Sequence, residues 1–486
     1  MIVAPVLISF ITALLTYLCR KNSLLLRGVS LAGSVAALAV AVHLFLLVDE
    51  GGGQTVQIGN WQSPFGISFA VGLFSSLMLV GSSLVALVGN LCMQALLNRQ
   101  WELRGYYTLF HFMMMGVFGA FSTGDLFNLY VWYEVMLAAS FFLVAMSRYR
   151  TSVTGAYKYA VLSILSSVAF LIGIAFIYNT AGSLDIGDLI QYQRTYGQNL
   201  GVVVGLCCLV MAFSVKSALF PFFFWMPAAY PVTLTAVAGV FAGFLTKVGV
   251  YSLMRILVPV STLPGSERLL PLLYVLALIS MILGVLGALS RDNMKGILAF
   301  HSTSQIGYMV LGLSMGTSAG IAACVFYMIH HMLVKTNLFF TVAVMEKVTG
   351  TSFVSESGGL WKARPLLGLV FAFSALSLVG VPPLSGFWAK VLTLEAALIE
   401  ERWLAVAMAL VVSLLTLMSM LKIWNGVFWK PAVSSLPEND RQGRVRWLGV
   451  PLLTMTLLIL GVGLGFQPLV NLTERIAQEL LDGGRG

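Results

Sequence analysis

The chain has 486 residues, of which 59% are hydrophobic and only 10% are charged, and its formal net charge is +9. Roughly a quarter of the residues in a soluble domain are charged, so this composition excludes a soluble catalytic domain and predicts an all-α polytopic membrane protein. The sequence contains no Gly-rich phosphate loop, nucleophile elbow or zinc signature. The five cysteines show no metal spacing, so we expect small buried hydrophobes, no cofactor and no metal site.

Apolar stretches predict about fourteen transmembrane helices of roughly 20 residues each. In chain order these spans cover residues 2–18, 29–47, 69–97, 107–121, 126–146, 159–178, 202–221, 232–257, 270–289, 296–313, 320–345, 366–399, 404–428 and 448–466. The first span lacks a basic leader and a cleavage site, so it is not expected to be a signal peptide. Polar residues 51–65 are expected to form a short hairpin outside the membrane.

Two of these spans, the seventh and the twelfth, carry prolines near their middle. Pro221 interrupts the seventh, whereas Pro382 and Pro383, followed by Gly386, interrupt the twelfth. Proline removes a backbone donor and clashes with the preceding turn, so each span is expected to break into two half-helices. Paired broken spans are typical of transporters built from structural repeats.

The broken spans occupy the fourth place in two blocks of five helices. An odd number of spans per block would invert the second block relative to the first. The predicted organisation is a three-helix segment at 1–106, five-helix inverted repeats at 107–257 and 270–428, and a cytoplasmic loop with the last helix at 429–486.

The basic residues predict the orientation. Of the 28 Lys and Arg, four lie deep inside spans, and six are counted on one side of the membrane, including Arg255 near the end of the eighth span. The other 18 are counted on the opposite side, including Lys422 near the end of the thirteenth span. The side with 18 is expected to face the cytoplasm, which places both termini outside. The net positive charge is then explained by the orientation of the protein in the membrane, and nucleic acid is not an expected partner.

Five charged residues lie deep in apolar spans: Glu134, Lys216, Lys247, Lys335 and Lys390. A charge at the bilayer centre costs about 2.5–3.5 kcal/mol on insertion scales, so such residues usually mark an ion pathway. If Glu134 approaches Lys216, making and breaking this pair would switch the lysine between holding and releasing a proton. The alternative is a static pair that locks two helices together.

Histidines in the tenth and eleventh spans suit a proton relay because imidazole titrates near neutral pH. His301 is followed by serines, a glutamine and Tyr308, whereas His331 lies four residues before Lys335 and shares its helix face. Only one of His330 and His331 is expected to face the interior, and the spacing favours His331. Packed, hydrogen-bonded histidines remain the alternative. Asp125 is expected to cap a helix.

Several segments together resemble the antiporter-type subunits shared by respiratory complex I and the Mrp cation/proton antiporters. The segments around Glu134, Lys247 and His301 are similar to this family, and those at 327–339 and 376–390 look closest to the Mrp D subunit. The resemblance runs from about residue 105 to 395. It implies fourteen helices, broken seventh and twelfth spans and a central chain of buried charges, with Glu134, Lys216, Lys247 and Lys390 as the matching residues.

The resemblance implies the proton-translocating subunit of a multisubunit Na⁺/H⁺ antiporter in a bacterial inner membrane. Its expected partners are other integral membrane subunits, protons and Na⁺, and it would not be an enzyme. The alternatives are a proton-pumping subunit of a redox complex, either a quinone reductase or a membrane-bound hydrogenase, and a lipid-linked substrate flippase. Similar proteins often have a histidine between the seventh and eighth spans, where this chain has none, so Tyr230 or water would replace it.

Overall fold

A computed structural model describes residues 1–61, 63–147, 150–197, 199–261, 269–431 and 449–483. The first part contains α1 (Ala4–Leu18), α2 (Ser23–Gly51), β1 (Gln54–Gln57), β2 (Ser68–Val71), α3 (Leu73–Leu96), α4 (Arg99–Leu103) and α5 (Tyr106–Ser122). Next come α6 (Leu126–Ala145), α7 (Arg150–Ala181), α8 (Ile186–Tyr196), α9 (Leu200–Ser217), α10 (Trp225–Ala229), α11 (Thr235–Val240), a π-helical segment (Phe241–Leu245) and α12 (Thr246–Ser261).

The second part contains α13 (Leu269–Ser290), α14 (Met294–Ser314), α15 (Ser318–Thr349), α16 (Leu360–Ala363), α17 (Pro365–Val379) and α18 (Ser385–Ile399). It ends with α19 (Trp403–Ile423), α20 (Gly449–Leu464) and α21 (Gln467–Leu481). The predicted all-α membrane class is confirmed.

The described residues give fewer clear spans than the fourteen predicted. Nine helices in the described part of the chain are long and apolar enough to cross a membrane, and the α20–α21 pair, bent by 77°, makes a tenth if it is one span. α1 and α5 are shorter, and the twelfth predicted span is split into α17 and α18. α14 has 21 residues but is less apolar than the nine. The count of fourteen is therefore not confirmed.

The predicted hairpin exists, but its second strand lies farther along the chain. β1 pairs antiparallel with β2, so that Gln54 faces Val71 and Gln57 faces Ser68. All four residues of β2 are buried, whereas β1 is mostly exposed. The third span consequently begins at Leu73 rather than at residue 69.

Three helical segments form the buried centre of the bundle. The continuous run Thr235–Val260 is entirely buried, α14 is buried at every position except Phe300, and α15 is buried almost throughout the stretch 320–345. Helices α7, α13 and α19 instead keep one apolar face exposed, as expected for surfaces that meet lipid. Charged side chains on the central helices are thus shielded on all sides.

Both predicted helix breaks are present and begin with the same backbone turn. Ala218 (φ 60°) follows α9 and Gly380 (φ 95°) follows α17, and both residues are left-handed. In each turn the next residue closes a hydrogen bond five residues back, Leu219 to Ser214 at 2.9 Å and Val381 to Leu376 at 3.0 Å. This arrangement is a Schellman ending, which satisfies the last carbonyls of a helix.

A second feature recurs at the entry to α6 and to α14. Asp125 caps α6 by accepting from the Asn128 amide at 2.7 Å, as predicted, and Asn293 caps α14 by accepting from the Gly296 amide at 3.1 Å. The first cap forms an antiparallel bridge with Asp185, after α7, and the second with Phe353, after α15. The two halves of the chain therefore share local structure at corresponding places.

The last segment contains a helix that the sequence did not predict. Helix α21 packs against α15 and α12 and buries Val470, Ile476 and Leu480. Because it is amphipathic rather than apolar, the hydropathy pattern did not reveal it. The predicted cytoplasmic loop at 431–446 lies almost wholly outside the described residues.

A buried carboxylate joins the first helices on the side predicted to be cytoplasmic. Glu102 accepts hydrogen bonds from Ser23 (2.7 Å), Arg27 (2.5 Å) and Arg99 (2.9 Å). Burial raises the pKa of Glu102, but the hydrogen bonds from Ser23, Arg99 and Arg27 outweigh burial and hold the pKa below its usual value. Its stabilising effect is therefore present at neutral pH and is lost as the pH falls through the lowered pKa.

We expect Glu102→Gln to destabilise the protein by about 1–3 kcal/mol at neutral pH, the usual contribution of hydrogen bonds to a charged group. Thermal unfolding of the detergent-solubilised protein measures this as a lower Tm, and the difference from wild type should shrink in acid. The exposed Glu50 gives a matched control, Glu50→Gln, with an unchanged Tm. Equal Tm values for Glu102→Gln and wild type at neutral pH would contradict this role.

Candidate functional site

The first part of the site lies where α6, α7 and α9 meet. Glu134 on α6 is partly exposed and accepts a hydrogen bond from Ser167 on α7. Lys216 is buried in the last turn of α9, where its Nζ donates to the Ser163 carbonyl at 3.4 Å and lies 5.7 Å from the ring centre of Tyr133. A cation is stabilised at the C-terminal end of a helix, where carbonyl groups lack partners.

The predicted pairing of Glu134 with Lys216 is not a direct contact, because their charged atoms are more than 4.0 Å apart. Both side chains instead line a cavity of about 10 Å³ together with Ser166 and Ser167. That volume admits about one water molecule. The arrangement suits proton exchange through one bridging water rather than a locked pair.

A second cavity of about 10 Å³ lies against Lys216 and is lined by Trp225 and Leu245. Leu245 is the last residue of the π-helical segment that precedes Lys247. Lys216 therefore has one small cavity toward Glu134 and another toward the segment that leads to Lys247.

Lys247 lies at the start of α12 and is fully buried. Its Nζ donates to the Ala242 carbonyl inside the π-helical segment. Such segments are rare within helices and often occur at functional sites, because the wider turn changes the direction of backbone groups. Tyr230 lies beside this segment, with its ring centre 6.2 Å from that of Phe241, and its buried hydroxyl has no hydrogen-bond partner among the described residues.

Gly243 allows the π-helical segment to approach its neighbours. A Cβ at this position would lie 2.5 Å from Thr336 Oγ1 and 2.6 Å from Val85 Cγ1. We expect Gly243→Ala to displace the segment and to lower the cation/proton exchange that the sequence predicts by about tenfold or more, a loss typical of small displacements at functional groups. Vesicle assays measure it, with Gly461→Ala as the control because nothing lies within 4 Å of a Cβ there. Equal rates for the two variants would contradict this prediction.

The line continues on α15 with His331 and Lys335, which share a helix face as predicted. Both are fully buried, and both interact electrostatically with Lys247. Lys335 Nζ donates to the Leu298 carbonyl of α14 at 2.9 Å. Neither ring nitrogen of His331 has a partner among the described residues. Buried polar atoms are rarely unpaired, so we expect water to bind His331.

His301 lies two turns into α14 and is fully buried. Its Nε2 lies 2.5 Å from Ser419 Oγ on α19. It interacts electrostatically with both Lys335 and Lys390. His301 is thereby placed between the lysine of α15 and the lysine of α18.

Lys390 forms the far end of the line, beside the break between α17 and α18. Its Nζ donates to the Val379 carbonyl, the last of α17, at 2.6 Å and to Ser413 Oγ at 2.9 Å. Like Lys216, it therefore places an ammonium group at the C-terminal end of a half-helix. Gly386 lies within α18 rather than in the break, and a Cβ there would lie 1.7 Å from the Ser377 carbonyl oxygen, so this glycine allows the half-helices to approach.

The sequence pattern missed His330. The expectation that only one of the two adjacent histidines faces the interior is wrong, since both are fully buried. His330 Nδ1 lies 2.9 Å from Ser385 Oγ, at the start of α18, and the side chain interacts electrostatically with Lys390 and Lys247. In a helix enclosed by neighbours, adjacent positions can both meet polar groups, so helix phase alone could not identify it.

The sequence also misplaced Arg255, which the orientation count treats as a loop charge. It lies within α12, is only 6% exposed, and donates to Ser75, Tyr251 and the Ala70 carbonyl. The apolar residues around Arg255 indicate that it lies inside the span. Its position near the end of the predicted span favoured instead counting it among the charges that set the orientation.

The structure places the seven predicted residues in one region, where Glu134 is partly exposed and the other six are buried: Lys216, Lys247, His331, Lys335, His301 and Lys390. Small cavities lie on two sides of Lys216, and serine hydroxyl groups contact Glu134, His301 and Lys390. This region can therefore pass protons laterally through the bundle. Among the described residues, no group of three or more His, Cys, Asp or Glu side chains could hold a metal ion.

Several known proteins are similar to this chain. A family model described as NADH:quinone oxidoreductase/Mrp antiporter, TM, matches residues 123–416. The D subunit of the Na(+)/H(+) antiporter of Alkalihalophilus pseudofirmus is 36% identical over 99% of this chain and 97% of its own length.

Two solved structures have the same fold over nearly the whole chain. One is from the Mrp complex of Dietzia sp. DQ12-45-1b, with 32% identity, a TM-score of 0.89, and coverage of 99% of this chain and 98% of that chain. The other is from the membrane-bound sulfane sulfur reductase, an archaeal respiratory membrane complex, with 26% identity, a TM-score of 0.91 and the same coverage.

Proposed function

Because this chain belongs to the NADH:quinone oxidoreductase/Mrp antiporter family, we propose that it is the proton-translocating membrane subunit of a multisubunit Na⁺/H⁺ antiporter. One observation carries the proposal: a line of titratable groups begins at the partly exposed Glu134 and continues through buried lysines and histidines to Lys390. Such intramembrane charges are costly and are kept for transport. The protein is accordingly a secondary transporter subunit and not an enzyme.

The proposed mechanism is a relay in which each lysine changes its charge in turn. A proton arriving at Glu134 weakens the attraction between its carboxylate and Lys216, because the neutral acid no longer stabilises an ammonium group. Lys216 then releases its proton toward Lys247, across the cavity lined by Trp225 and Leu245. The proton then passes from Lys247 to Lys390 by way of His331, Lys335 and His301. An imidazole suits this step because one ring nitrogen can accept a proton while the other releases one.

The partners in this proposal are other integral membrane subunits of the same complex. Glu134 is partly exposed at the side of the isolated chain. A carboxylate facing hydrocarbon is unfavourable, so a neighbouring subunit is expected to cover the α6–α7 face. Na⁺ is the proposed exchange ion.

We further propose the plasma membrane of a bacterium as the location, with both termini outside, because the side with 18 basic residues should face the cytoplasm. The proposed organisation keeps the three-helix segment 1–106, the inverted repeats 107–257 and 270–428, and the segment 429–486. The matching Schellman endings and the matching caps before α6 and α14 support the repeats.

Inclusion in a redox-driven complex is the second candidate, favoured by the TM-score of 0.91 to the sulfane sulfur reductase chain. Higher identity to the antiporter proteins, 36% and 32% against 26%, supports the antiporter instead.

The deciding experiment purifies the chain with its native partners and reconstitutes the complex into liposomes that hold a pH gradient. An antiporter should dissipate the gradient when Na⁺ is added, without any electron donor. Proton uptake that requires a reductant and a quinone, and ignores Na⁺, would instead support the redox candidate. Mass spectrometry of the same preparation would identify flavin or iron–sulfur subunits if they are present.

A further inference from the structure

Arg255 is a permanent positive charge buried at the end of α12 that lies beside the β-hairpin. Each of its three hydrogen-bond acceptors is a neutral oxygen: Ser75 Oγ at 2.9 Å, Tyr251 Oη at 2.5 Å and the Ala70 carbonyl at 3.1 Å. No carboxylate oxygen of the described residues lies within 4.0 Å of its nitrogens. Arginine stays protonated in proteins, so this site always carries a charge.

A polar cavity of about 80 Å³ reaches Arg255 from the side of the β-hairpin. Its lining includes Asp185, Asp188, Ser63 and the exposed Thr55 at the rim. The volume admits more than one water molecule. Cations attracted by the two carboxylates can therefore approach Arg255 from the aqueous phase.

On the inner side of Arg255, α12 leads directly to the proton line. Lys247, Tyr251 and Arg255 are spaced four residues apart and so share one helix face. The eight residues from Lys247 to Arg255 span about 12 Å of helix. Without a barrier, water from the cavity would need to advance only a short distance to reach Lys247.

The hydrogen bonds stop before they reach Lys247. Tyr251 accepts from Arg255, lies 2.7 Å from Ser75 Oγ and donates to the Phe121 carbonyl at 2.9 Å, so none of its hydrogen bonds reaches Lys247. Lys247 Nζ is bonded in the opposite direction, to Ala242 in the π-helical segment. Arg255 thus stands at the boundary between the polar cavity and a segment without continuous hydrogen bonding.

We propose that Arg255 is a fixed electrostatic barrier that keeps protons and metal cations in the outer cavity from reaching Lys247 outside the exchange cycle. The proposal rests on the proton-translocating function given above and adds a residue that prevents leakage. A fixed cation at the mouth of a pore excludes cations because like charges repel strongly where water is scarce. The aspartates concentrate cations at the cavity, and the guanidinium group stops them there.

The test uses the complete complex in liposomes with an imposed pH gradient, first without Na⁺ and then after Na⁺ is added. We expect Arg255→Gln to accelerate Na⁺-independent decay of the gradient by about tenfold, because the repulsive charge is gone. Arg402→Gln, which removes an exposed arginine, should decay like wild type. Tyr251→Phe, which keeps the charge but loses a hydroxyl, should do the same.

Arg255→Lys separates charge from packing, and it also serves if the glutamine variant fails to assemble. Lysine can lose its proton whereas arginine cannot, so its leak should stay low in acid and rise between about pH 6 and pH 9. The groups facing position 255 are Tyr251 on the same helix, Glu479 on α21 and the cavity aspartates Asp185 and Asp188. In the other three variants (Arg255→Gln, Arg402→Gln and Tyr251→Phe) the proton leak should vary with pH as the leak of the wild type does.

Wild-type decay in an assembled Arg255→Gln complex, or a pH-independent leak in Arg255→Lys, would overturn the proposal. A leak in Tyr251→Phe as large as that in Arg255→Gln would do the same, since packing would then explain both. The Na⁺ step on wild-type liposomes tests the function separately. If Na⁺ has no effect there, the proposed antiport fails while the comparison of leaks can still be read.

Discussion

Replacing Glu134 with Gln is expected to reduce Na⁺-driven proton movement to below about a tenth of the wild-type rate, because an intramembrane carboxylate is replaced by a group that carries neither charge nor proton. The amide has the same shape and can still accept from Ser167, so the complex should assemble normally. Without the carboxylate, α6 has no acidic side chain whose change of charge could alter the proton affinity of Lys216 during the cycle. Exchange is measured by gradient dissipation in vesicles, and assembly by the size-exclusion profile of the complex.

Lys216 provides the reciprocal test of the same unit. Lys216→Ala should be as inactive as Glu134→Gln, and the double variant should be no worse than either, because the two residues act as one switch. Glu474→Gln, which changes an exposed glutamate on α21, is the matched control and should exchange normally. Wild-type rates in either single variant would rule out the switch.

The second large effect is expected at Lys247, where Arg should not replace Lys. The side chain is fully buried and bonds to a carbonyl of the π-helical segment, so there is little room for a guanidinium group. Guanidinium also stays protonated in proteins and therefore cannot pass its proton on. We expect Lys247→Arg to keep below about a tenth of wild-type exchange.

The control for this substitution is Lys295→Arg, because Lys295, in the first turn of α14, pairs with Glu346 at 3.2 Å and needs only its charge. Rates should be measured between about pH 6 and pH 9, the range in which a proton carrier and a fixed charge differ. Normal exchange by Lys247→Arg throughout that range would identify Lys247 as a fixed charge.

Much of the site could be predicted from the sequence because charges in apolar spans are conspicuous. Glu134, Lys216, Lys247 and Lys390 are each identified by the cost of placing a charge in hydrocarbon. The helix breaks follow from proline chemistry, which is local and independent of the rest of the fold. These features need no knowledge of which helices are neighbours.

What the sequence could not supply depends on packing between distant segments. His330 becomes part of the site only because Ser385, fifty-five positions later in the chain, comes within 2.9 Å. Arg255 is buried because the β-hairpin and α21 cover the end of α12, and neither element has a strongly apolar sequence. The cavity between Glu134 and Lys216 likewise arises from three helices that no single stretch of sequence relates.

The polar character of α14 has a consequence for how the protein is made. This helix carries His301 and a run of hydroxyl and amide side chains, and it is less apolar than the nine clear spans. A nascent segment enters the bilayer unaided only when its summed transfer free energy is favourable. We therefore expect the translocon to retain α14 until α13 and α15, which pack on either side of it, are available to shelter its polar groups. Membrane insertion of this bundle would then be limited by α14, the helix that carries His301.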